Sequence, residues 1–165
     1  MTRPLPEKMG IKESDRVLIL NAPEDWLSPL DAASLLPPPD GGQYEHVLFF
    51  AVHAEEISEA IEGLKRKIGK SGKIWITWPK GGKLGTDLNL DKVVKLVYPK
   101  GLVESVNLAV DGTWTALKFT WPKPGKDYNN SHAVLIRDPN QPEQAKRSWP
   151  SKLRLYHLPI DWLLC

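Results

Sequence analysis

Three apolar runs in this chain lack the polar alternation of a half-exposed strand: RVLIL at 16–20, YEHVLFFAV at 44–52 and KIWITW at 73–78. A strand covered on one face alternates, so continuous runs of this kind belong to strands buried on both faces, as in parallel sheets sandwiched between helices. Trp75 and Trp78 have opposite parity along the third run, so each is expected to pack into a different layer. The segments between the runs supply those layers. Ile57, Ala60, Ile61, Leu64 and Ile68 recur at helical spacing and form an amphipathic stripe. Glu55 and Glu56 open it and Lys65, Arg66 and Lys67 lie near its end, as the helix dipole favours, with Gly69 expected as its stop. Leu90, Val93, Val94 and Val97 define a second helix. Between the first two strands, Ser28, Pro29 and Asp31 predict a short helix with an N-cap, a proline at its first position and a capping-box acid.

From Leu102 the pattern changes to alternation. Val106, Leu108 and Val110 share one side of a strand, and Leu117, Phe119 and Trp121 share one side of the next. A hairpin with a common apolar face is expected, closed by a loop of two or of four residues around Asp111 and Gly112. The predicted fold is a three-layer, Rossmann-like α/β domain over 16–121, with a mostly parallel sheet ending in an antiparallel hairpin and helices on both faces. Residues 1–15 read as a loose arm. Residues 122–165 read as a proline-rich basic extension in which only HAVLIR suggests a strand and Trp149 and Trp162 are candidate anchors.

Hydrophobic content of 41% and charged content of 25% are those of a globular protein, and no run approaches the ~18 apolar residues of a membrane helix. Membrane spanning is therefore excluded, and no membrane partner is expected. The net charge of +2 is too small to imply nucleic acid. The lysines and arginine between 65 and 83 divide between the two ends of a strand about 20 Å long, so they form two small clusters rather than one patch. Nucleic acid is thus disfavoured, although the basic tail keeps weak binding as a third reading. Cys165 is the sole cysteine, which leaves no internal disulfide, and the first residues lack an apolar signal core. A cytoplasmic setting is expected. His53 stands alone at a strand end, no metal-ligand set is present, and no cofactor is called for.

The stretches MGIKESDRVLILNAPE, GKIWITWPKGGKLGTDLN and GLVESVNLAVDGTWTALKF resemble a family of small bacterial proteins defined only as a domain of unknown function, number three-zero-five-two. That resemblance covers about residues 9–121 and implies a fold without a mechanism. More distantly, the layout from Tyr44 onward is similar to the second half of a class I methyltransferase: strand, helix, a strand entered through IGKSGKIWI, helix, and a hairpin with one reversed strand. Those enzymes hold S-adenosylmethionine against a glycine-rich loop after the first strand. Here that position reads NAPEDW, with no glycine.

Ligands of open parallel sheets bind at the carboxyl ends of the strands. This gathers Asn21, Glu24, Trp26, Lys80, Lys83, Thr86, Asp87, Asp111 and Trp114 on one rim as candidate ligand-binding residues. The loop GGKLGTD lacks the lysine and hydroxyl that end a Walker phosphate loop. Thr86 and Asp87 are also good helix caps, so the loop reads better as a structured connection than as a nucleotide cradle. The expectation is a non-catalytic binding or interaction module with an unidentified protein or small-molecule partner. The rival is a small degenerate transferase acting on a nucleotide-like ligand, which requires Lys80, Asp87 and Asp111 to converge on one concave pocket.

Overall fold

The computed structural model describes residues 4–23, 43–128, 130 and 132–142. Its elements are α1 (Leu5–Met9), β1 (Val17–Leu20), β2 (Tyr44–Phe50), α2 (Ala54–Arg66), β3 (Ile68–Pro79), α3 (Leu90–Val97), β4 (Val103–Ala109) and β5 (Trp114–Thr120), with 3₁₀ turns at Lys80–Gly85 and Tyr98–Lys100. The sheet order is β1-β2-β3-β5-β4. The first three strands are parallel, and β5 runs against both β3 and β4. This is the expected α/β architecture, a mostly parallel sheet closed by an antiparallel hairpin. The helix expected around Ser28 and Pro29 and the candidate anchors Trp149 and Trp162 lie outside the described residues.

Alternation along β2 divides the core. Val47 and Phe49 join Ile57, Ile61, Leu64, Val93, Val94 and Val97 under α2 and α3. Leu48 and Phe50 face the other way and pack with Leu5, Met9, Trp75, Trp114 and Ala116. Trp78 belongs to the first layer and Trp75 to the second, as their parity predicts. The expected loose arm contributes to that second layer. Pro4 precedes α1, Gly10 closes it at φ 73°, and Leu5 and Met9 are buried.

Two local expectations fail for identifiable reasons. The stripe of α2 does not reach Ile68 or stop at Gly69. The Tyr44 amide donates to the Lys67 carbonyl at 2.8 Å, drawing the chain out of the helix so that Ile68 starts β3 instead. The hairpin loop is neither two nor four residues long. Ala109 pairs with Thr115, and the Val110 amide donates to the Trp114 carbonyl at 2.9 Å, leaving a three-residue loop at 111–113. Asp111 holds it, its Oδ1 accepting from the amides of Thr113 and Trp114, both at 2.8 Å. An odd loop reverses parity. Leu108 and Val110 therefore pack with Trp114 and Ala116, while Leu117, Phe119 and Trp121 enter the opposite layer.

HAVLIR forms no strand pairing among the described residues, and Val134 and Ile136 are 77% and 58% exposed. The described part of the extension instead packs along α3, from Asp91 to the Tyr98–Lys100 turn, and onto the end of α2. Gly101, at φ 94°, passes so close beneath it that a Cβ would sit 2.9 Å from that of Asp138. The Ile136 amide donates to the Tyr98 carbonyl at 3.3 Å, and His132 Nδ1 lies 2.6 Å from Asp91.

Candidate functional site

At the carboxyl ends of the strands, four of the candidate rim residues, Lys83, Thr86, Asp87 and Asp111, use their side chains to bond backbone of loops. Asn21 ends β1 in the left-handed region at φ 62°, a conformation its short polar side chain tolerates. Lys80 follows β3, and its amide donates to the Thr113 carbonyl at 2.7 Å. Lys83 Nζ donates to the Gly112 carbonyl at 2.9 Å. The intervening loop turns through Gly81 at φ 60° and Gly82 at φ 75°, then places Leu84 in the left-handed region at φ 56° and 62% exposed.

Thr86 and Asp87 do not cap the helix they precede. Asn89 does that, its Oδ1 accepting from the Lys92 amide at 2.8 Å. Thr86 Oγ1 donates to the Val52 carbonyl and accepts from the Leu88 amide at 3.0 Å. Asp87 Oδ1 accepts from the Ala54 amide at 3.0 Å, so it caps α2, which is remote in sequence. Burial opposes the charge on Asp87, but the Ala54 amide, Lys92 and His53 outweigh it and hold the carboxyl below the usual carboxylate range. Glu56 completes this junction by accepting from the Val52 amide at 2.6 Å and the His53 amide at 2.8 Å. His53 itself sits 3.7 Å from Asp87 at the exposed start of α2.

Trp114, expected on the rim, belongs to the core. It is 6% exposed and meets Phe50 edge to face at 5.1 Å, inside the second core layer. Asp111 serves the hairpin loop. Glu24 and Trp26 lie outside the described residues. Among the described residues, no group of three or more histidines, cysteines and acids could hold a metal ion, and no helix is long and apolar enough to cross a membrane.

Two polar arrangements escaped the sequence reading. His46 is fully buried; its Nδ1 accepts from Trp75 Nε1 at 3.1 Å and its Nε2 faces Asp15 at 3.2 Å. Burial, then the charge of Lys73, lower its pKa to about 4 against the pull of Asp15. The neutral ring therefore donates from Nε2. A histidine inside an otherwise apolar run was the available signal, because a buried polar group requires partners. The second arrangement is a cleft of about 760 Å³ at the opposite end of the sheet, between the end of α2, the Tyr98–Lys100 turn and the extension. At its edge Lys65, 6% exposed, binds Asp138 at 2.7 Å, Glu62 at 3.1 Å and the Lys100 carbonyl at 2.7 Å. The Lys65 hydrogen bond holds the Asp138 carboxyl below the usual range. Only the Glu62–Lys65 pair, three residues apart on α2, is local; Asp138 and the Lys100 carbonyl come from remote segments and nothing in the sequence near Lys65 announces them.

These features define an α/β protein with a five-stranded mixed sheet. No family model matches the chain, and no curated protein does. Among solved structures it is similar to magnesium protoporphyrin IX methyltransferase (ChlM) from Synechocystis PCC 6803 with bound SAM, at 14% identity and TM-score 0.40, over 51% of this chain and 42% of that one. It is also similar to LepI in complex with SAM, at 13% identity and TM-score 0.38, over 72% of this chain and 39% of that one. This chain therefore spans less than half the length of either. Likeness at that level concerns the general fold and carries nothing about activity.

Proposed function

We propose that this protein is a non-catalytic binding or interaction module on a degenerate methyltransferase-like sheet, belonging with the small bacterial domains whose motifs it resembles. The observation that carries this reading is the use of the rim's polar groups. Thr86, Asp87, Asp111 and Lys83 each bond to backbone of a loop, and Trp114 is core. A transferase would aim such groups at a substrate in a shared concavity. Two clefts of about 760 and 640 Å³ are lined by residues other than Lys80, Asp87 and Asp111. Asn21 adds to this, because a Cβ stands where a glycine-rich loop would let backbone approach a cofactor.

The test is thermal shift of the full chain against S-adenosylmethionine, S-adenosylhomocysteine, NAD and ATP, repeated on Lys80→Ala and Asp111→Ala. A ligand at 100 times its Kd adds ~2.7 kcal/mol, several degrees for a domain of this size. The module reading predicts no shift that depends on either residue. A shift abolished by Lys80→Ala or Asp111→Ala overturns it and places a ligand at the rim.

A further inference from the structure

We propose that the cleft at the amino-terminal end of the sheet is a binding site for a small organic anion, a carboxylate or phosphate ester on a flat apolar body. The inference goes beyond the module reading and does not depend on the rim. Size comes first: at about 760 Å³ the cleft falls in the range of small-molecule sites, roughly 300–1,000 Å³. Its walls include the Trp121 ring and Pro99, Pro139 and Pro142, rigid surfaces that match a flat ligand at little entropic cost.

Charge then selects the ligand. The cleft's two acids, Glu62 and Asp138, are both engaged by Lys65. Arg66, Lys100 and Arg137 also line it, and among the described residues none of the three has an acid within ion-pair distance. Arg137 is held in place through the carbonyls of Lys123 at 3.3 Å and Lys126 at 2.5 Å, which occupy part of a five-donor fork. The remaining capacity of the lining is thus mostly for donating hydrogen bonds, and an anion supplies the matching acceptors.

The independent observation is Trp121. It is 6% exposed, lines the cleft, and its Nε1 has no hydrogen-bond partner among the described residues. Lys65 already sits over its ring at 5.9 Å, so the indole plane is fixed from one side. An orphaned buried donor is costly, roughly 1–3 kcal/mol, and rare enough to need a cause. A ligand acceptor reaching this N–H as the wall adjusts removes that cost in the bound state.

The experiment titrates ¹⁵N-labelled full-length protein with 1-naphthyl phosphate, 1-naphthoate and the neutral 1-naphthalenemethanol. Calorimetry gives affinity, and the indole cross-peaks give place, with Trp121 assigned from Trp121→Phe. Expected is a saturable shift of the Trp121 peak with at least one anion, at least tenfold tighter binding than of the alcohol, and weaker binding at high salt. Preference between the two anions assigns phosphate or carboxylate. The exposed-side variants Arg66→Ala and Arg137→Ala should each weaken anion binding about fivefold or more while the other indole peaks stay in place. They keep the test decisive should Trp121→Phe fold poorly. No saturable binding of either anion, equal affinity for the alcohol, or binding untouched by both arginine variants overturns the proposal. A ligand lost with Lys80→Ala but not with Arg66→Ala belongs to the rim and counts against the module reading instead.

Discussion

The two ends of the parallel strands are built from similar residues and put them to different uses. At the carboxyl end, Thr86, Asp87, Lys83 and Asp111 are satisfied by backbone of neighbouring loops, and the aromatic group there, Trp114, is core. At the amino end, Lys65 binds two acids and a carbonyl, yet Arg66, Lys100, Arg137 and an unpartnered indole still line an open cleft. On the proposed reading, a fold's usual ligand-binding end becomes scaffold when its polar groups are spent on caps and loop ties. Binding capacity then resides wherever donors remain unpaired.

The largest effect expected from breaking this contrast comes from pH at the amino end. His46 faces Asp15 from the arm, Trp75 and Lys73 from β3, and Lys118 from β5. Its folded pKa, about 4, lies below the ordinary 6.5, so the unfolded chain binds the proton more readily. Stability from neutral His46 is complete above pH 6.5 and is lost as pH falls from 6.5 towards 4, by roughly 3 kcal/mol at most. Urea unfolding across that range should show the slope, and His46→Gln, which keeps an acceptor for Trp75, should flatten it. Asp87, Asp91 and Asp138, all shifted downward, act in a separate window below their ordinary 3.8.

Lys65→Met ranks next. It strands the largely buried Asp138 and the Lys100 carbonyl and should cost about 2–3 kcal/mol, the low side for a broken buried pair because Glu62 is half exposed. Denaturant unfolding measures it, and a cost near zero would mean that the extension is not held there. At the rim, Thr86→Val removes both a donor and an acceptor and should lower stability by about 1–2 kcal/mol with no change in ligand response. Asp111→Ala should have the smallest effect, about 0.5–1 kcal/mol, because one of the two loop amides it serves, that of Thr113, lies at the surface.

The sheet was legible because burial on both faces leaves an unmistakable pattern in β2 and β3, and α2 and α3 announce themselves by their apolar spacing. The hairpin was misjudged by a single residue, since alternation alone does not reveal that Asp111 satisfies two amides and makes an odd loop. Thr86 and Asp87 read as caps of α3, but Thr86 ties Val52 to Leu88 and Asp87 serves the start of α2, because a polar residue before a helix does not say which backbone it will bond. The cleft was illegible for a related reason. Lys65, Trp121 and Asp138 meet only through tertiary packing, and each alone has an ordinary reading in its own segment.

The measurement that bears most directly on the contrast between the ends is residue-resolved amide hydrogen exchange of the free protein. If the rim is scaffold, the amides of Ala54, Leu88 and Trp114, bonded to Asp87, Thr86 and Asp111, should exchange slowly, and Ala54 should lose its protection in Asp87→Ala. Rapid exchange at all three in the wild-type protein would mean that those side chains are free for a ligand, and would contradict the account.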